Sequence, residues 1–389
     1  MKIAMLSYLV FGDSIGGVEN HIKFMSEELK KMGHMVEIFK PVWEEDYIGN
    51  CMIYDEIKIN YINVGKRPKV MNHPIIKRIP FARGFLSKVL FLSRSKLISG
   101  EIMLRSPDLV WQHDFSSNWL STRQISKAVP VILTNHTGEY LLLRKIPFFG
   151  TIEKYLFSHY KLIIGPSKEL TPNLSKAVSI HNGVDMKIFG FRENYFDKSQ
   201  ATGGSTKKIF CPRRWAPTKG IKYFAESLLL LDKLDIAGSI EVYFAGNDYD
   251  VYPLYKEEVD SILERVEKIK IHYLGNINIE DMAKQYKKSD IVIIPSLMEA
   301  VSLSALEAMA SGCLVISTDV GGMPELINSH IDGILVPCKD PQALADAIKN
   351  SIENDLTTVV KNGYDKVMSN YTWDKIANRT ISEISKFIS

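Results

Sequence analysis

Short runs of apolar residues alternate along the chain with longer segments in which apolar residues recur every three or four positions. The short runs have the length and the β-branched content of buried strands, and the longer segments have the periodicity of amphipathic helices. Strands separated by helices imply parallel sheets with crossover helices. The predicted strands are Lys2–Leu9, Met35–Phe39, Asp108–Gln112, Val129–Thr134 and Leu162–Gly165 in the first half, and Lys208–Pro212, Ile240–Ala245, Lys270–Leu274, Asp290–Pro295 and Cys313–Thr318 in the second half.

A polar stretch between the two halves predicts a linker. Residues Phe191 to Lys208 are rich in Gly, Ser, Thr, Asn and Asp and have little apolar periodicity. The 389 residues are too many for one ordinary core and suit two domains of about 150–200 residues each. We therefore predict an α/β protein with two doubly wound, Rossmann-like domains that face a cleft, at 1–185 and 186–370. Ligands of such sheets bind beyond the carboxyl ends of the strands.

The composition argues against several classes of protein. The four cysteines (Cys51, Cys211, Cys313 and Cys338) are far apart and form no Cys-x-x-Cys pair, as expected in a reducing cytosol without disulfides or zinc sites of the usual spacing. The net charge of +3 does not suggest a nucleic-acid partner. No apolar run approaches the roughly 18 residues that span a bilayer, and the apolar N-terminus lacks a small-residue cleavage site. We expect a cytoplasmic protein with no metal site.

One segment of the first half is strongly basic. Between Ile57 and Gly100 the chain has ten Lys or Arg residues and no Asp or Glu, which creates a local positive field. Within it, Phe81–Leu97 can be drawn as a helix with basic residues opposite an apolar face. The apolar face consists of Phe81, Phe85, Val89 and Leu92. Peripheral attachment to the inner face of an anionic membrane is one interpretation, and a helix packed on its own sheet with a solvated basic face is the other.

The loop after the first predicted strand is rich in glycine. Gly16 and Gly17 precede a predicted helix from Val18 to Met32, and glycines at a helix N-terminus let backbone N–H groups approach an anion. The spacing is not that of the dinucleotide-binding Gly-x-Gly-x-x-Gly pattern. A tight turn and a phosphate-binding loop therefore fit this segment about equally well.

A cationic pair follows the first strand of the second half. The strand Lys208–Pro212 leads into Arg213 and Arg214, and Lys219 precedes the next predicted helix. The planar guanidinium of Arg214 and the compact ammonium of Lys219 suit the oxygens of a diphosphate leaving group. A solvated basic turn is the alternative interpretation.

Two glutamates lie further along the chain. Glu299 follows the predicted strand Asp290–Pro295, and a helix begins near Ser302, where unpaired N–H groups can bind phosphate. Glu307 lies in this helix among apolar residues, so its carboxylate must reach solvent or bind a specific partner. Vicinal ribose hydroxyls would suit it, although both glutamates also fit ordinary helix-surface or loop positions.

Together these segments resemble family 4 of the retaining glycosyltransferases, which have the GT-B fold. The resemblance spans nearly the whole chain, and its most specific part is a Glu, seven residues and a second Glu, followed by Ala-Met-Ala. The matching segments are Gly16–Glu19, Asn182–Asp185, Arg214 with Lys219-Gly220, Glu299–Glu307 and Val320–Glu325. The chain departs from the common pattern at Ala300-Val301-Ser302, where relatives often have Gly-Phe-Gly, and at Arg213, where they usually have Gly.

The resemblance implies roles for the matching residues of the second domain. Glu307 would bind the ribose of a nucleotide-sugar donor, and Glu299 would contact the transferred sugar. Arg214 and Lys219 would hold the diphosphate. The amides near Ser302 and Leu303 would complete the diphosphate site, and Gly275 would also lie at the donor.

The resemblance also implies roles for residues of the first domain. Gly16 and Gly17 would lie against the donor phosphates or the acceptor, and His136 would lie beside the donor sugar. His113 and Glu19 would be on the acceptor side. The implied catalytic residues are His136, Arg214, Lys219 and Glu299. On spacing alone, a histidine in either position is more often a structural residue than a catalyst.

The activity that the resemblance implies is the metal-independent transfer of a hexosyl unit, with retention, from a UDP- or GDP-sugar to a hydroxyl of a glycan or lipid-linked acceptor. Cell-surface polysaccharide or glycoconjugate synthesis would be the setting, and the donor would be a substrate rather than a cofactor. As in relatives, segment 371–389 would cross back to the first domain. A nucleotide-sugar epimerase of the same fold is an alternative. A nicotinamide-dependent oxidoreductase would leave Arg214 and Glu307 without a role, and a catalytically silent binding module would leave the whole site unused.

Overall fold

Two compact units make up the structure, a computed structural model. The model describes residues 1–11, 16–54, 56–72, 86, 89–136, 139–144, 146–147, 149–190, 206–247, 251–299 and 301–388. Unit 1 contains Met1–His181 and Trp373–Ser389, and unit 2 contains Asn182–Thr372. The chain therefore passes from one unit to the other near residue 181 and returns near residue 373, where the sequence had suggested 185 and 371.

Unit 1 contains a sheet of eight strands in the order β3-β4-β2-β1-β5-β6-β7-β8. All neighbouring strands are parallel except β3 and β4, which are antiparallel. The strands are β1 Lys2–Leu6, β2 Met35–Val42, β3 Cys51–Tyr54, β4 Ile57–Asn63, β5 Leu109–His113, β6 Val131–Thr134, β7 Leu162–Gly165 and β8 Ala177–Ser179.

Unit 2 contains a parallel sheet of six strands in the order β11-β10-β9-β12-β13-β14. Successive residues of its central strands point into two separate apolar clusters, as expected for a sheet with a helical layer on each face. In β12, for example, Ile291 and Ile293 belong to one cluster and Val292 and Ile294 to the other. The strands are β9 Lys207–Pro212, β10 Ile240–Ala245, β11 Lys270–Gly275, β12 Ile291–Ile294, β13 Leu314–Thr318 and β14 Ile334–Val336.

Helices connect the parallel strands in both units. The α-helices of the described ranges are α1 Gly17–Lys31, α2 Ser95–Met103, α3 Phe115–Ile125, α4 Glu139–Arg144, α5 Phe149–Leu156, α6 Met186–Phe189, α7 Ile221–Leu231, α8 Pro253–Leu263, α9 Ile279–Lys288, α10 Leu303–Ala310, α11 Met323–Leu326, α12 Pro341–Glu353, α13 Thr357–Asn370 and α14 Trp373–Ile388. The two doubly wound α/β units confirm the predicted fold class. In the described part of the chain no helix has the length and apolarity that crossing a membrane requires.

The described part of the basic segment is helical within the helix drawn for it, but its buried face differs from the drawn one. The segment begins with β4, a largely buried strand; residue 86 and residues 89–92 are helical, and α2 follows from Ser95. On the drawn apolar face, Phe81 and Phe85 lie outside the described residues, and Val89 is 42% exposed. The buried aromatic side chain in the described part of this stretch is Phe91, whose ring stacks on Trp43 with centroids 5.0 Å apart.

Acids from outside the basic segment approach two of its cations. Lys58 Nζ lies 3.6 Å from Glu37 Oε2, and the guanidinium of Arg67 pairs with Asp46. The positive field of the folded segment is therefore weaker than its sequence alone indicates. Folding brings carboxylates from β2 and from the following turn beside it. Residues 191–205 of the predicted linker also lie outside the described ranges, and Lys207 already belongs to β9.

Candidate active site

The strand order of unit 2 reverses at β9, which pairs with β10 on one side and β12 on the other. Ligands of doubly wound sheets bind beyond the carboxyl ends of the strands at such a reversal. The loop after β9 carries Arg213, Arg214 and Lys219, and the loop after β12 carries Glu299. The topology therefore brings the predicted cations and one predicted carboxylate to the same edge of the sheet.

Gly220 holds these two loops together. Its φ of +67° is in the left-handed region, and a Cβ at this position would lie 1.8 Å from the carbonyl oxygen of Pro295. The N–H of Leu297 also donates to the carbonyl oxygen of Thr218 at 2.8 Å. Glycine is the residue that tolerates both this conformation and this approach, so the end of the β9 loop is fixed against the end of β12.

Glu299 lies in a cluster of donors. Its Oε1 accepts hydrogen bonds from Lys219 Nζ at 2.6 Å and from Ser296 Oγ at 2.8 Å, and Arg213 Nη1 lies 3.5 Å from the same oxygen. Burial acts to raise the pKa of Glu299, but Arg213 and Lys219 outweigh burial and the pKa is lowered. Burial lowers the pKa of Lys219 despite the opposing effect of Glu299. The cluster contains two cationic groups and one carboxylate, so its net positive charge suits the binding of an additional anion.

Arg213 is the arginine that the structure places in this cluster. Its side chain is 8% exposed, and its Nη2 donates a hydrogen bond to Ser302 Oγ. Its Nε is buried and has no hydrogen-bond partner among the described residues. A buried guanidinium N–H without an acceptor costs free energy in the absence of a ligand, so Arg213 is suited to bind a phosphate oxygen.

Arg214, the predicted catalytic arginine, is exposed. It is close enough to Lys219 to contribute to the lowering of that side chain's pKa. The structure thus places Arg214 at the rim of the cluster and Arg213 inside it. The sequence indicated Arg213 as the neighbour of Arg214 and as a departure from the family pattern, but it predicted no role for this side chain.

The N-terminus of α10 adjoins the cluster through Ser302. Ser302 is the N-cap residue, but its hydroxyl bonds Arg213 and makes no side-chain cap hydrogen bond. Its carbonyl accepts from the N–H groups of Ala305 and Leu306 at 3.1 and 3.2 Å. The N–H groups at the start of the helix, beginning with Leu303, have no acceptor within the helix and carry its positive dipole end. The structure therefore confirms the predicted start of a helix near Ser302.

Glu307 in α10 binds a buried tyrosine from α9. The hydroxyl of Tyr286, which is fully buried, donates to Glu307 Oε2 at 2.9 Å. Burial raises the pKa of Glu307 to about 7, although Tyr286 and Arg213 both act to lower it. The sequence predicted that this glutamate needs a partner but gave no signal for Tyr286, because the contact joins two helices.

Gly275 ends β11, the edge strand of the sheet, with a φ of +64°. Its carbonyl oxygen accepts from the N–H of Gly246 at 2.8 Å, next to the end of β10. This backbone contact joins the ends of β10 and β11, and a direct role of Gly275 at a donor stays a prediction.

Three histidines cluster in unit 1. His113 ends β5, His136 follows β6, and His21 lies in α1. His113 Nδ1 and His136 Nε2 are 3.2 Å apart, and the ring of His21 has its centroid 4.7 Å from that of His136 and 5.5 Å from that of His113. Burial lowers the pKa of His113 and of His136 well below the usual value, so both are neutral near pH 7. His136 and His21 add to the effect at His113, and His21 adds to it at His136. The sequence indicated His113 and His136 but missed His21.

The glycine loop of unit 1 is described from Gly16 onward. Gly17 is the first residue of α1, and Glu19 in the first turn is 5% exposed. The carboxylate of Glu19 lies against Gly16, since a Cβ on Gly16 would be 2.6 Å from Glu19 Oε2. A negative charge beside Gly16 makes this helix start less favourable for a phosphate than the sequence suggested, and the roles of Gly16, Gly17 and Glu19 stay predictions.

Comparisons with known proteins agree with this architecture. A family model described as Glycosyltransferase Family 4 matches residues 15–187, and one described as Glycosyl transferases group 1 matches residues 206–354. An uncharacterized glycosyltransferase of Methanocaldococcus jannaschii is 26% identical, covering 98% of this chain and 97% of its own.

Solved structures show the same fold. Sucrose-phosphate synthase from Thermosynechococcus elongatus has a TM-score of 0.77 at 19% identity, covering 99% of this chain and 98% of that one. Anabaena HepE in complex with UDP-glucose has a TM-score of 0.66 at 16% identity, covering 99% of this chain and 100% of that one. Since the two family models together match 322 of the 389 residues, the chain belongs to glycosyltransferase family 4 and has the GT-B fold.

Proposed function

We propose that the chain is a retaining glycosyltransferase that moves a hexosyl unit from a nucleoside-diphosphate sugar to a hydroxyl of a glycan or lipid-linked acceptor. The observation that carries this proposal is the cluster of Arg213, Lys219 and Glu299 beside the N-terminus of α10, with Glu307 in the same helix. The solved complex of HepE with UDP-glucose supports a UDP-sugar as the first donor to test.

The donor's diphosphate would bind the cationic end of the cluster. Lys219 supplies a compact ammonium, and α10 supplies backbone N–H groups. Arg213 supplies a buried guanidinium whose Nε has no hydrogen-bond partner in the described part of the chain. Glu307 lies four residues beyond Leu303, about 6 Å along the helix axis. That separation is comparable to the distance between the phosphates and the ribose of a nucleotide, so one helix would hold both parts.

These groups would act mainly on the leaving group. When the bond between the anomeric carbon and the diphosphate oxygen breaks, negative charge grows on the diphosphate, where Lys219 and Arg213 would stabilise it. We propose that the acceptor oxygen bonds to the anomeric carbon on the same face and that its proton passes to the departing diphosphate oxygen. This sequence of steps retains the anomeric configuration.

Glu299 is a poor candidate for a nucleophile in this reaction. Its Oε1 already accepts two hydrogen bonds, and its pKa is lowered by two adjacent cations. A carboxylate stabilised in this way attacks carbon less readily than a solvated one. We assign it instead to hydrogen bonding with the transferred sugar and to the orientation of Lys219, and we propose that the cations take the place of a divalent metal at the diphosphate.

The acceptor would be held by unit 1, where His113 and Glu19 are the proposed contacts, and His136 would lie beside the transferred sugar. A lipid-linked acceptor would place the enzyme at the cytoplasmic face of a membrane. The exposed Val89, Lys96 and Leu97 of the basic segment support this location. Failure of the protein to sediment with anionic liposomes at low salt would remove the membrane part of the proposal without affecting the sugar transfer.

A panel of UDP-, GDP- and ADP-sugars tests the donor. Thermal shift and calorimetry should identify one nucleotide whose affinity falls in Lys219→Ala and Glu307→Gln but not in Glu258→Gln, an exposed glutamate paired with Lys222. Donor affinity should be the same with and without EDTA. An NMR spectrum of the product with an added acceptor then gives the anomeric configuration. Inversion would overturn the mechanism, and conversion of the donor to an epimer without acceptor would favour the epimerase.

A further inference from the structure

Three imidazole rings from distant parts of the sequence meet in unit 1. One ligand atom from each of His21, His113 and His136 can be chosen so that the three atoms all lie within 4.8 Å of one another. His21 is 4% exposed and His113 is completely buried. The proposed sugar transfer uses His113 and His136 only as acceptor-side or sugar-side contacts and gives no reason for a third imidazole at the same point.

One pair of nitrogens in this cluster already has the separation of two ligands of one metal ion. Tetrahedral coordination with metal–nitrogen bonds of about 2.0–2.1 Å places two ligating nitrogens about 3.3 Å apart. His113 Nδ1 and His136 Nε2 are 3.2 Å apart. His21 would complete the set with a small side-chain adjustment, since its ring already meets both others edge to face.

The surrounding aromatic residues hold the rings in place. His113 stacks on Trp111 with an interplanar angle of 21°, and Trp111 Nε1 donates to Thr134 Oγ1 at 2.8 Å. His21 contacts the edge of Trp373 at a centroid distance of 5.5 Å. Side chains fixed by such packing are preorganised and lose little conformational entropy when they bind an ion.

Imidazole nitrogen is a common ligand of divalent transition metals in proteins. We infer that His21, His113 and His136 form a site for a divalent transition-metal ion, with Zn²⁺ the expected occupant and one coordination position left open. Three histidines with an open fourth position are the ligand set of zinc sites that also bind a water or a substrate oxygen. The site shares His113 and His136 with the contacts proposed above, so a bound ion would occupy one nitrogen of each and offer its open position to a substrate oxygen. Its test measures metal rather than turnover, so the inference can fail without affecting the proposed sugar transfer.

Metal binding by the full-length protein without a polyhistidine tag tests the site. The protein is stripped with a chelator, incubated with Zn²⁺ or Co²⁺, and passed through a desalting column. We expect one metal ion per chain, and for Co²⁺ the intense visible absorption of a four-coordinate ion. His21→Ala, His113→Ala and His136→Ala should each lower the affinity at least about tenfold.

Two variants serve as matched controls. His159→Ala removes another histidine of unit 1, which contacts Thr122, and His272→Ala removes an exposed one in unit 2. Both should retain the metal. The inference is overturned if the wild-type protein binds no Co²⁺ or if the controls lose it as readily as the cluster variants. The wild-type measurement decides the question even if a cluster variant fails to fold.

Discussion

The hydroxyl of Tyr286 donates a 2.9 Å hydrogen bond to the carboxyl group of Glu307, whose pKa burial raises to about 7. Arg213 is the charged group that acts on Glu307 in the opposite direction. The protonation state of this carboxyl group therefore changes in the range where most enzymes are assayed. A protonated Glu307 offers one acceptor oxygen fewer to a ligand than the ionised form does.

Donor affinity is accordingly expected to rise with pH. If the ribose hydroxyls donate to Glu307, the carboxylate form binds best, and about one tenth of the molecules are in that form one pH unit below the pKa. The dissociation constant of the nucleotide sugar should therefore be about tenfold higher at pH 6 than at its high-pH limit. Calorimetry with the intact nucleotide sugar measures this, since free UDP has a terminal phosphate that titrates in the same range.

Glu307→Gln is the control for the pH effect. The amide cannot ionise, so the variant should bind the donor weakly and with little change between pH 6 and pH 8. A pH dependence in the variant as steep as in the wild-type protein would show that another group is responsible.

Arg213 and Arg214 form a natural pair for mutagenesis. Arg213→Ala removes the buried guanidinium beside Glu299 and Ser302, whereas Arg214→Ala removes an exposed one. We expect kcat to fall about 100-fold or more in Arg213→Ala, as for the loss of one stabilising donor in other active sites. The fall in Arg214→Ala should be clearly smaller. A larger fall in Arg214→Ala than in Arg213→Ala would instead support Arg214 as the arginine at the diphosphate, as the family resemblance implies.

Glu299→Gln separates donor binding from catalysis. The substitution removes the carboxylate that pairs with Lys219 and Arg213, so the two cations attract a diphosphate more strongly. We expect kcat to fall while the nucleoside diphosphate product binds more tightly. Steady-state kinetics with product inhibition measures both quantities, and weaker product binding would contradict the geometry described for the cluster.

Gly220 is expected to be essential for the stability of unit 2. Any side chain would be strained at φ +67° and would clash with the carbonyl oxygen of Pro295. Gly220→Ala should lower the free energy of unfolding by at least about 2 kcal/mol, measured by urea denaturation. Gly238→Ala is the matched control, because a Cβ there meets no atom within 4 Å, and an equal loss in both variants would contradict this argument.

The interior strands were the part of the fold best predicted from the sequence. β7 and β10 have the predicted bounds, because a run of apolar residues buried on both faces leaves a continuous signal. The edge strands β8 and β14 were missed, since three residues carry too little pattern. β4 was missed because its residues were interpreted as part of the basic segment.

The candidate site was predicted where one local segment carries the chemistry. The helix start at Ser302 and the two glutamates around it are readable from the sequence. Tyr286 and His21 were not predicted from the sequence, because each contributes through a contact between distant segments. The choice between Arg213 and Arg214 depends on how the backbone turns after Pro212, which residue types alone do not determine.

The position of α14 has a consequence for biosynthesis. Trp373 in this helix stacks on Phe24 at 5.6 Å, and Arg379 donates to the carbonyl oxygen of Ser179 at 3.0 Å, so α14 is part of unit 1. A ribosome makes most of unit 1 first but delivers this helix only after all of unit 2 has been synthesised. Unit 1 therefore remains incomplete during translation, and an apolar surface around Phe24 stays uncovered until Trp373 has been synthesised.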